Sequence, residues 1–219
     1  MEVAELLRGA DLFADFSEDV VGSIVEATQL VTLDRNQRLF GEGDQANELY
    51  LVRSGRIAIA SRSGDGRESV IALMEEGDLF GEFSLFDGQG RSADARALEP
   101  SVVVLVPYPP IQALFEASPT LLWNVVGFLS RRLRATDSAL SDAVFLDVTG
   151  RTAKRLLELA AAHDEFVMPL TQEELASMVG ASRERVNKAL AAFVRLGWIT
   201  QTDRRYRITD RVQLERRSR

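Results

Sequence analysis

Gly81-Glu82-Phe83-Ser84-Leu85-Phe86-Asp87-Gly88-Gln89-Gly90-Arg91-Ser92-Ala93 lies between two apolar stretches that read as strands. Val70, Ile71, Leu73, Leu79 and Phe80 precede it, and Val102 to Val106 follow. After Gly81 stand the carboxylate Glu82, a Ser84–Asp87 segment able to make one helical turn, the glycines Gly88 and Gly90, and the pair Arg91–Ser92. These are the parts of a phosphate site built from a loop. Backbone N–H groups at a short helix start face an anion, a guanidinium forks onto its oxygens, and a hydroxyl donates one more bond. A carboxylate beside a phosphate is repulsive, so Glu82 fits only if it accepts from a neighbouring sugar hydroxyl. Gly-Glu or Arg-Ser alone is an ordinary loop dipeptide, because short motifs recur by chance.

The whole block closely resembles the phosphate-binding cassette of cyclic-nucleotide-binding domains, in the form found in the CRP/FNR family of bacterial transcription regulators. Gly81, Glu82, Arg91 and Ser92 match residue for residue. The resemblance implies that Gly81 and Glu82 meet a ribose and that Arg91 and Ser92 meet a cyclic phosphate. Phe83, Ser84 and Ala93 are counted with them as ligand-binding. It implies cyclic AMP as an effector, not a catalytic cofactor. The implied fold is α+β: an N-terminal β jelly-roll cyclic-nucleotide-binding domain, a long dimerisation helix and a C-terminal winged helix-turn-helix.

The 219-residue chain has room for one large or two modest domains, and its 46% hydrophobic content suffices for packed cores. With no cysteine there are no disulfides, thiolate metal sites or iron–sulfur clusters, and the lone His163 cannot build a metal site, so no metal is expected. The N-terminal residues carry acids and lack a signal pattern. No apolar run approaches the roughly 20 residues of a membrane helix. A cytoplasmic protein without a membrane partner is expected. Net charge is −7, but its distribution is uneven. Residues 1–149 hold 12 Arg/Lys and 24 Asp/Glu (net −12), and residues 150–219 hold 14 and 9 (net +5). A basic C-terminal part on an acidic body points to a nucleic-acid partner for the smaller part.

Residues 1–27 read as short helices, with Val3, Leu6 and Leu7 on one apolar face and Val20, Val21, Ile24 and Val25 on another. From Leu30 the period becomes two: Leu30 and Thr32, then Leu49, Leu51, Ile57, Ile59, Val70 and Ala72. Turn chemistry at Gly41–Gly43, Ser54–Gly55, Ser63–Gly66 and Glu76–Asp78 separates the runs, as in a β-sandwich or jelly roll. Pro107, Pro109 and Pro110 end the last strand, and a short segment, Ile111–Glu116, follows. Ser118-Pro119 then reads as an N-cap with proline at the first helical position, opening a helix to about Phe145. Leu122, Val126, Leu129, Leu133, Thr136, Leu140 and Ala143 recur at alternating four and three, which is a coiled-coil seam. Leu121, Val125 and Phe128 form a second face to pack on the roll, and Arg131, Arg132, Arg134 and Asp137 flank the seam. A homodimer is expected.

Thr136 reads by itself as a polar residue fixing register. In the resembling family a threonine here, after an Arg-Arg-Leu stretch like Arg131-Arg132-Leu133, touches the bound adenine, and the next residue does so from the partner subunit. Here that residue is Asp137, a carboxylate that accepts the adenine amino hydrogen but cannot donate. Ile59 and Ile71 are candidates for an apolar wall beside the base, or for core.

Phe145-Leu146-Asp147-Val148-Thr149-Gly150-Arg151 matches the family's hinge, and Asp147 is a plausible N-cap for a helix carrying Ala153, Leu156, Leu157 and Ala160 inward. The expected division is 1–117 for the roll, 118–146 for the dimerisation helix and hinge, and 147–219 for the DNA-binding domain. Thr171-Gln172-Glu173-Glu174 is a capping box. Val179-Gly180-Ala181 is a tight turn, and Ser182 caps a second helix from Arg183 to Leu196 with Val186, Leu190 and Phe193 buried. This is a helix-turn-helix. Arg183, Glu184, Arg185 and Lys188 crowd the first turns of its second helix, where a recognition helix meets base edges. Arg forks onto guanine and Glu accepts from cytosine N4. The run Ala181–Lys188 resembles the family's recognition helix, which implies base contacts by Arg183, Glu184 and Lys188 and phosphate contacts by Ser182 and Thr171. Arg185 and Gln172 depart from close relatives; Arg185 is assigned a phosphate or an extra base, and Gln172 stands at a phosphate-binding position. Trp198-Ile199-Thr200 and Tyr206-Arg207-Ile208 form a wing with a basic tip, Asp203-Arg204-Arg205, and the Arg-rich end reads as a mobile tail.

A regulator of this kind binds double-stranded DNA with a near-palindromic operator, as a homodimer, and works with RNA polymerase. Two rivals stand beside it: a family member that binds DNA without a nucleotide, its cassette vestigial, and a nucleotide-binding regulatory subunit of an enzyme. The chain itself is not read as an enzyme, since Arg91 and Glu82 have no nucleophile or metal constellation around them.

Overall fold

The alternating segment forms strands as its period dictates. A computed structural model describes residues 2–14, 16–62, 64 and 68–219. After the helices α1 (Val3–Gly9) and α2 (Glu18–Glu26) come β1 (Gln29–Leu33), β2 (Arg38–Phe40), β3 (Glu48–Ser54), β4 (Ile57–Arg62), β5 (Glu68–Met74) and β6 (Leu79–Phe80). The short helix α3 (Phe83–Asp87) leads to β7 (Asp94–Ala97) and β8 (Ser101–Pro107). The strands make two four-stranded sheets in the orders β1-β8-β3-β6 and β2-β7-β4-β5, which is the expected roll. The expected turn at Ser63–Gly66 lies, apart from Gly64, outside the described residues.

β3 is apolar on both faces because it separates two cores. Leu49 and Leu51 point to the helices, with Leu6, Leu7, Phe13, Ile24, Val104, Val106 and Phe128. Tyr50 and Val52 point inside the roll, with Leu33, Ile57, Phe80, Ala95 and Val103. β8 alternates the same way beside it, pairing Tyr50 with Leu105 and Leu51 with Val104. Removing this apolar area from water is the main stabilisation, at about 25 cal/mol per Å².

The helix α4 (Tyr108–Ala117) starts at once after β8, since Pro109 and Pro110 in a first helical turn forfeit no hydrogen bond. Ser118 is not the α-helical N-cap. It precedes a 3-10 turn, Pro119–Leu121, and makes no capping bond; α5 (Leu122–Phe145, 24 residues) begins only after that turn. Val125 and Phe128 are buried against the helical core, as expected of that face.

Two compact units emerge. The first holds the described residues to Gly64 and Ile71–Arg134; the second holds Ala135–Arg219, grouped with Glu68–Val70 of β5. In the second, α6 (Val148–Ala160) is capped by Asp147, whose carboxylate accepts from Gly150 N–H at 2.8 Å. β9 (Glu165–Val167), α7 (Gln172–Val179), α8 (Arg183–Arg195), β10 (Ile199–Thr202), β11 (Arg205–Ile208) and α9 (Arg211–Arg217) follow. Two features go beyond the sequence reading. After His163, β9 adds a third strand to the wing, giving the order β10-β11-β9. The Arg-rich end is not a mobile tail but α9, with Leu214 fully buried and Arg217 bonded to the Asp147 carboxylate. Arg151 ties helix ends together, donating to Leu146 O (2.6 Å) after α5 and to Val179 O (2.7 Å) at the end of α7. Terminal carbonyls lack intrahelical partners, so one guanidinium satisfies two of them.

Candidate functional site

Arg91 is the centre of the first unit's polar site. It is a cation only 3% exposed. Its plane lies over the Phe40 ring, with Cζ 4.3 Å from the centroid, and Tyr50 is 5.4 Å away. Nη1 donates to Gly81 O at 2.8 Å and Nη2 to Glu48 Oε1 at 2.9 Å. Tyr108 OH also donates to Gly81 O, at 2.5 Å, and Tyr50 OH to Glu48 Oε1, at 2.8 Å. Nε is buried and has no hydrogen-bond partner among the described residues. Burial, with the Glu48 carboxylate behind it, pushes the Tyr50 hydroxyl well above its ordinary pKa.

The backbone permits this only with glycine at two points. Gly81 has φ +79°, and a Cβ there would stand 2.6 Å from Arg91 Nη1. A Cβ at Gly90 would stand 2.9 Å from Gly43 O, because the loop after β2 is laced to the cassette. Gly43 N–H donates to Arg91 O at 2.8 Å, and Arg91 N–H to Asp44 O at 2.9 Å. Asp94, two residues beyond Ser92, holds the same loop by accepting from Glu42 N–H at 2.9 Å.

Glu82 is 2% exposed and next in sequence to the Gly81 carbonyl that Arg91 holds. Burial raises its carboxyl pKa; the Arg132 charge, and more weakly Arg91, pull against that without cancelling it. Arg132 Nη2, on α5, lies 3.1 Å from Glu82 Oε1. Arg132 also donates to Leu79 O. The two side chains form an ion pair, and the carboxylate has lone pairs to spare.

The other expected ligand residues divide. Ser84 and Ala93 are buried, whereas Ser92 is exposed, as is Phe83 at 43%. Ile59 packs against the roll core, and Ile71 is exposed at 55%. Thr136 and Asp137 are exposed on α5.

In the second unit, Thr171 caps α7 and closes a capping box with Glu174. Gly180, with φ +67°, makes the turn, and Ser182 caps α8 by accepting from Arg185 N–H. Arg183, Glu184, Arg185 and Lys188 are all exposed, while Val186, Ala189, Leu190 and Phe193 are buried. Gln172 Oε1 accepts from Asn187 (3.0 Å) and Arg183 (3.4 Å), joining α7 to α8. The wing tip is less available than its composition implies. Arg204 turns back to the Met168 and Pro169 carbonyls, leaving Arg205 exposed.

Residues 30–118 match the family described as cyclic nucleotide-binding domain, and residues 150–217 the Crp-like helix-turn-helix domain. A CRP-like cAMP-activated global transcriptional regulator of Mycobacterium tuberculosis is 36% identical over 227 residues, spanning 98% of this chain and 99% of its own. The chain belongs to the CRP/FNR family of transcription regulators. The cAMP-activated global transcriptional regulator CRP of Pasteurella multocida is 36% identical over 159 residues, 69% of this chain and 76% of its own. By fold, FixK2 of Bradyrhizobium japonicum superimposes with a TM-score of 0.80 at 20% identity, covering 88% of this chain and 98% of its own.

In this CRP/FNR chain the polar site fits a cyclic nucleotide chemically. A buried guanidinium N–H without an acceptor suits a phosphate oxygen, and a buried carboxylate with lone pairs to spare suits a hydroxyl. Sequence reasoning missed Glu48, Phe40, Tyr50 and Tyr108, which hold Arg91 from three other elements. Arg132 was visible only as part of an Arg-Arg-Leu stretch. Nothing in the sequence marked it as the partner of Glu82.

Proposed function

We propose that the protein is a sequence-specific DNA-binding transcription regulator, controlled allosterically by cyclic AMP. The observation that carries the sensing half is the buried Arg91 guanidinium, whose Nε has no hydrogen-bond partner among the described residues, beside the buried Glu82 carboxylate in the cassette. The M. tuberculosis and P. multocida relatives, both described as cAMP-activated, support the choice of ligand. Arg91 and Ser92 take the cyclic phosphate and Gly81 and Glu82 the ribose. The family resemblance assigns the base to Thr136 and, from the partner subunit, to Asp137.

The functional division is 1–117 for sensing, 118–146 for dimerisation and 147–219 for DNA. The exposed seam of α5 joins two copies. Their α8 helices then enter successive major grooves about 34–36 Å apart over a near-palindromic operator. Arg183, Glu184, Arg185 and Lys188 read base edges or phosphate there, and Thr171, Gln172 and Ser182 hold the backbone. The regulator acts with RNA polymerase in the cytoplasm; among the described residues no helix is long and apolar enough to cross a membrane. Control means that ligand binds the DNA-competent state more tightly than the other.

Calorimetric titration of the purified chain with cyclic AMP tests the sensing half. Two sites per dimer are expected, with binding lost in Arg91→Ala. No heat with cyclic AMP or cyclic GMP would leave a DNA-binding dimer that needs no nucleotide, its cassette vestigial, the rival to which the Asp137 carboxylate points.

A further inference from the structure

We propose that Glu48, on β3 and outside the cassette, is the built-in counter-ion that holds Arg91 and tempers its affinity for the cyclic phosphate. This rests on the reading that Arg91 meets that phosphate. Glu48 Oε1 accepts two bonds at once, from Arg91 Nη2 at 2.9 Å and from Tyr50 OH at 2.8 Å. The carboxylate is therefore fixed, not a passing surface contact. Its side chain is 25% exposed while that of Arg91 is 2% exposed, so Glu48 stands on the more open side of the pair.

A guanidinium has five N–H groups. Nη1 is directed at Gly81 O and, at 3.4 Å, Tyr108 OH; one Nη2 hydrogen goes to Glu48; Nε has no hydrogen-bond partner among the described residues. What remains for a ligand is the Nε edge with the second Nη2 hydrogen. A phosphodiester monoanion bound there shares one cation with the Glu48 carboxylate. Two effects of opposite sign follow. The bond to Glu48, with the Phe40 ring beneath, holds the guanidinium plane ready and lowers the cost of ordering it. The carboxylate charge opposes the incoming anion in a site where charges are poorly screened.

Glu48→Gln separates the two, since an amide oxygen still accepts from Nη2 and from Tyr50 OH but carries no charge. Glu48→Thr serves as a second neutral variant, with a residue type that a strand accepts well. Cyclic AMP is titrated calorimetrically into the full chain and both variants, and ligand-free unfolding temperatures are recorded. Glu48→Gln is expected to bind cyclic AMP about tenfold more tightly, with Glu48→Thr between it and the native chain. The ligand-free unfolding temperature of both falls, because Arg91 loses its ion pair. A merely structural role moves affinity and stability in the same direction, so opposite signs identify the counter-ion.

Native binding with neither variant tighter overturns this proposal and leaves the proposed function standing. Binding by the variants but not by the native chain supports Glu48 as the restraint and overturns cyclic AMP sensing by the native protein. Silence in all three overturns both.

Discussion

Arg91 is a charged side chain almost wholly removed from water, and such a group is tolerated only when its N–H groups and its charge are both met. Gly81 O, Glu48 and the Phe40 face meet them in part, and Nε is left over. Asp147 shows the same economy at the start of α6, where its carboxylate caps the helix and binds Arg217. The Gly150 N–H, and then Arg217, hold its pKa below the ordinary carboxylate range. A lowered folded-state pKa gives stability that is present above the unfolded value, about 3.9, and lost as pH falls through the folded value. Asp147→Ala is expected to cost about 1 kcal/mol at pH 7 and to flatten the decline below pH 4, measured by urea unfolding across pH. An unchanged acid limb would contradict this. Asp147 was legible as a cap because it precedes a run of helical period. Arg217, its partner 70 residues away, was not, because nothing local in an Arg-rich end says which arginine folds back.

α5 is the element whose two faces divide its labour. Val125 and Phe128 are buried in the first unit's core, while Val126, Leu133 and Leu140 stay 49%, 62% and 64% exposed on the other stripe. Burying a leucine is worth about 1.5–3 kcal/mol, so a stripe of them left in water calls for a partner helix. Leu133→Asp with Leu140→Asp is expected to give a folded monomer by sedimentation, with unchanged helical circular dichroism and DNA affinity lowered at least tenfold. A dimer of native affinity would refute the seam. The sequence carried this helix well, because a heptad pattern over three turns or more is a strong signal. It carried β9 and α9 poorly for a physical reason. Glu165–Val167 is too short for any period and is a strand only because β11 pairs with it. α9 offers only Val212 and Leu214 as apolar residues, and Leu214 becomes core only through packing on α6. The cassette was legible as a motif, yet its electrostatics were not: Glu48 and Arg132 reach it from β3 and α5.

For the molecule as a whole, the net charge of −7 conceals a −12 body and a +5 C-terminal part. The cationic face of α8 sits on that basic part, so DNA binding is expected to weaken steeply with salt. A basic C-terminal part agrees with the Crp-like helix-turn-helix domain that residues 150–217 match. The central claim is that occupancy of the Arg91 site controls that basic face. It is tested most directly by fluorescence anisotropy of the full chain on a duplex selected from a random library, at fixed salt, with and without saturating cyclic AMP. The account predicts that cyclic AMP tightens binding at least tenfold in the native chain and has no effect in Arg91→Ala. Equal affinity with and without ligand in the native chain would contradict it.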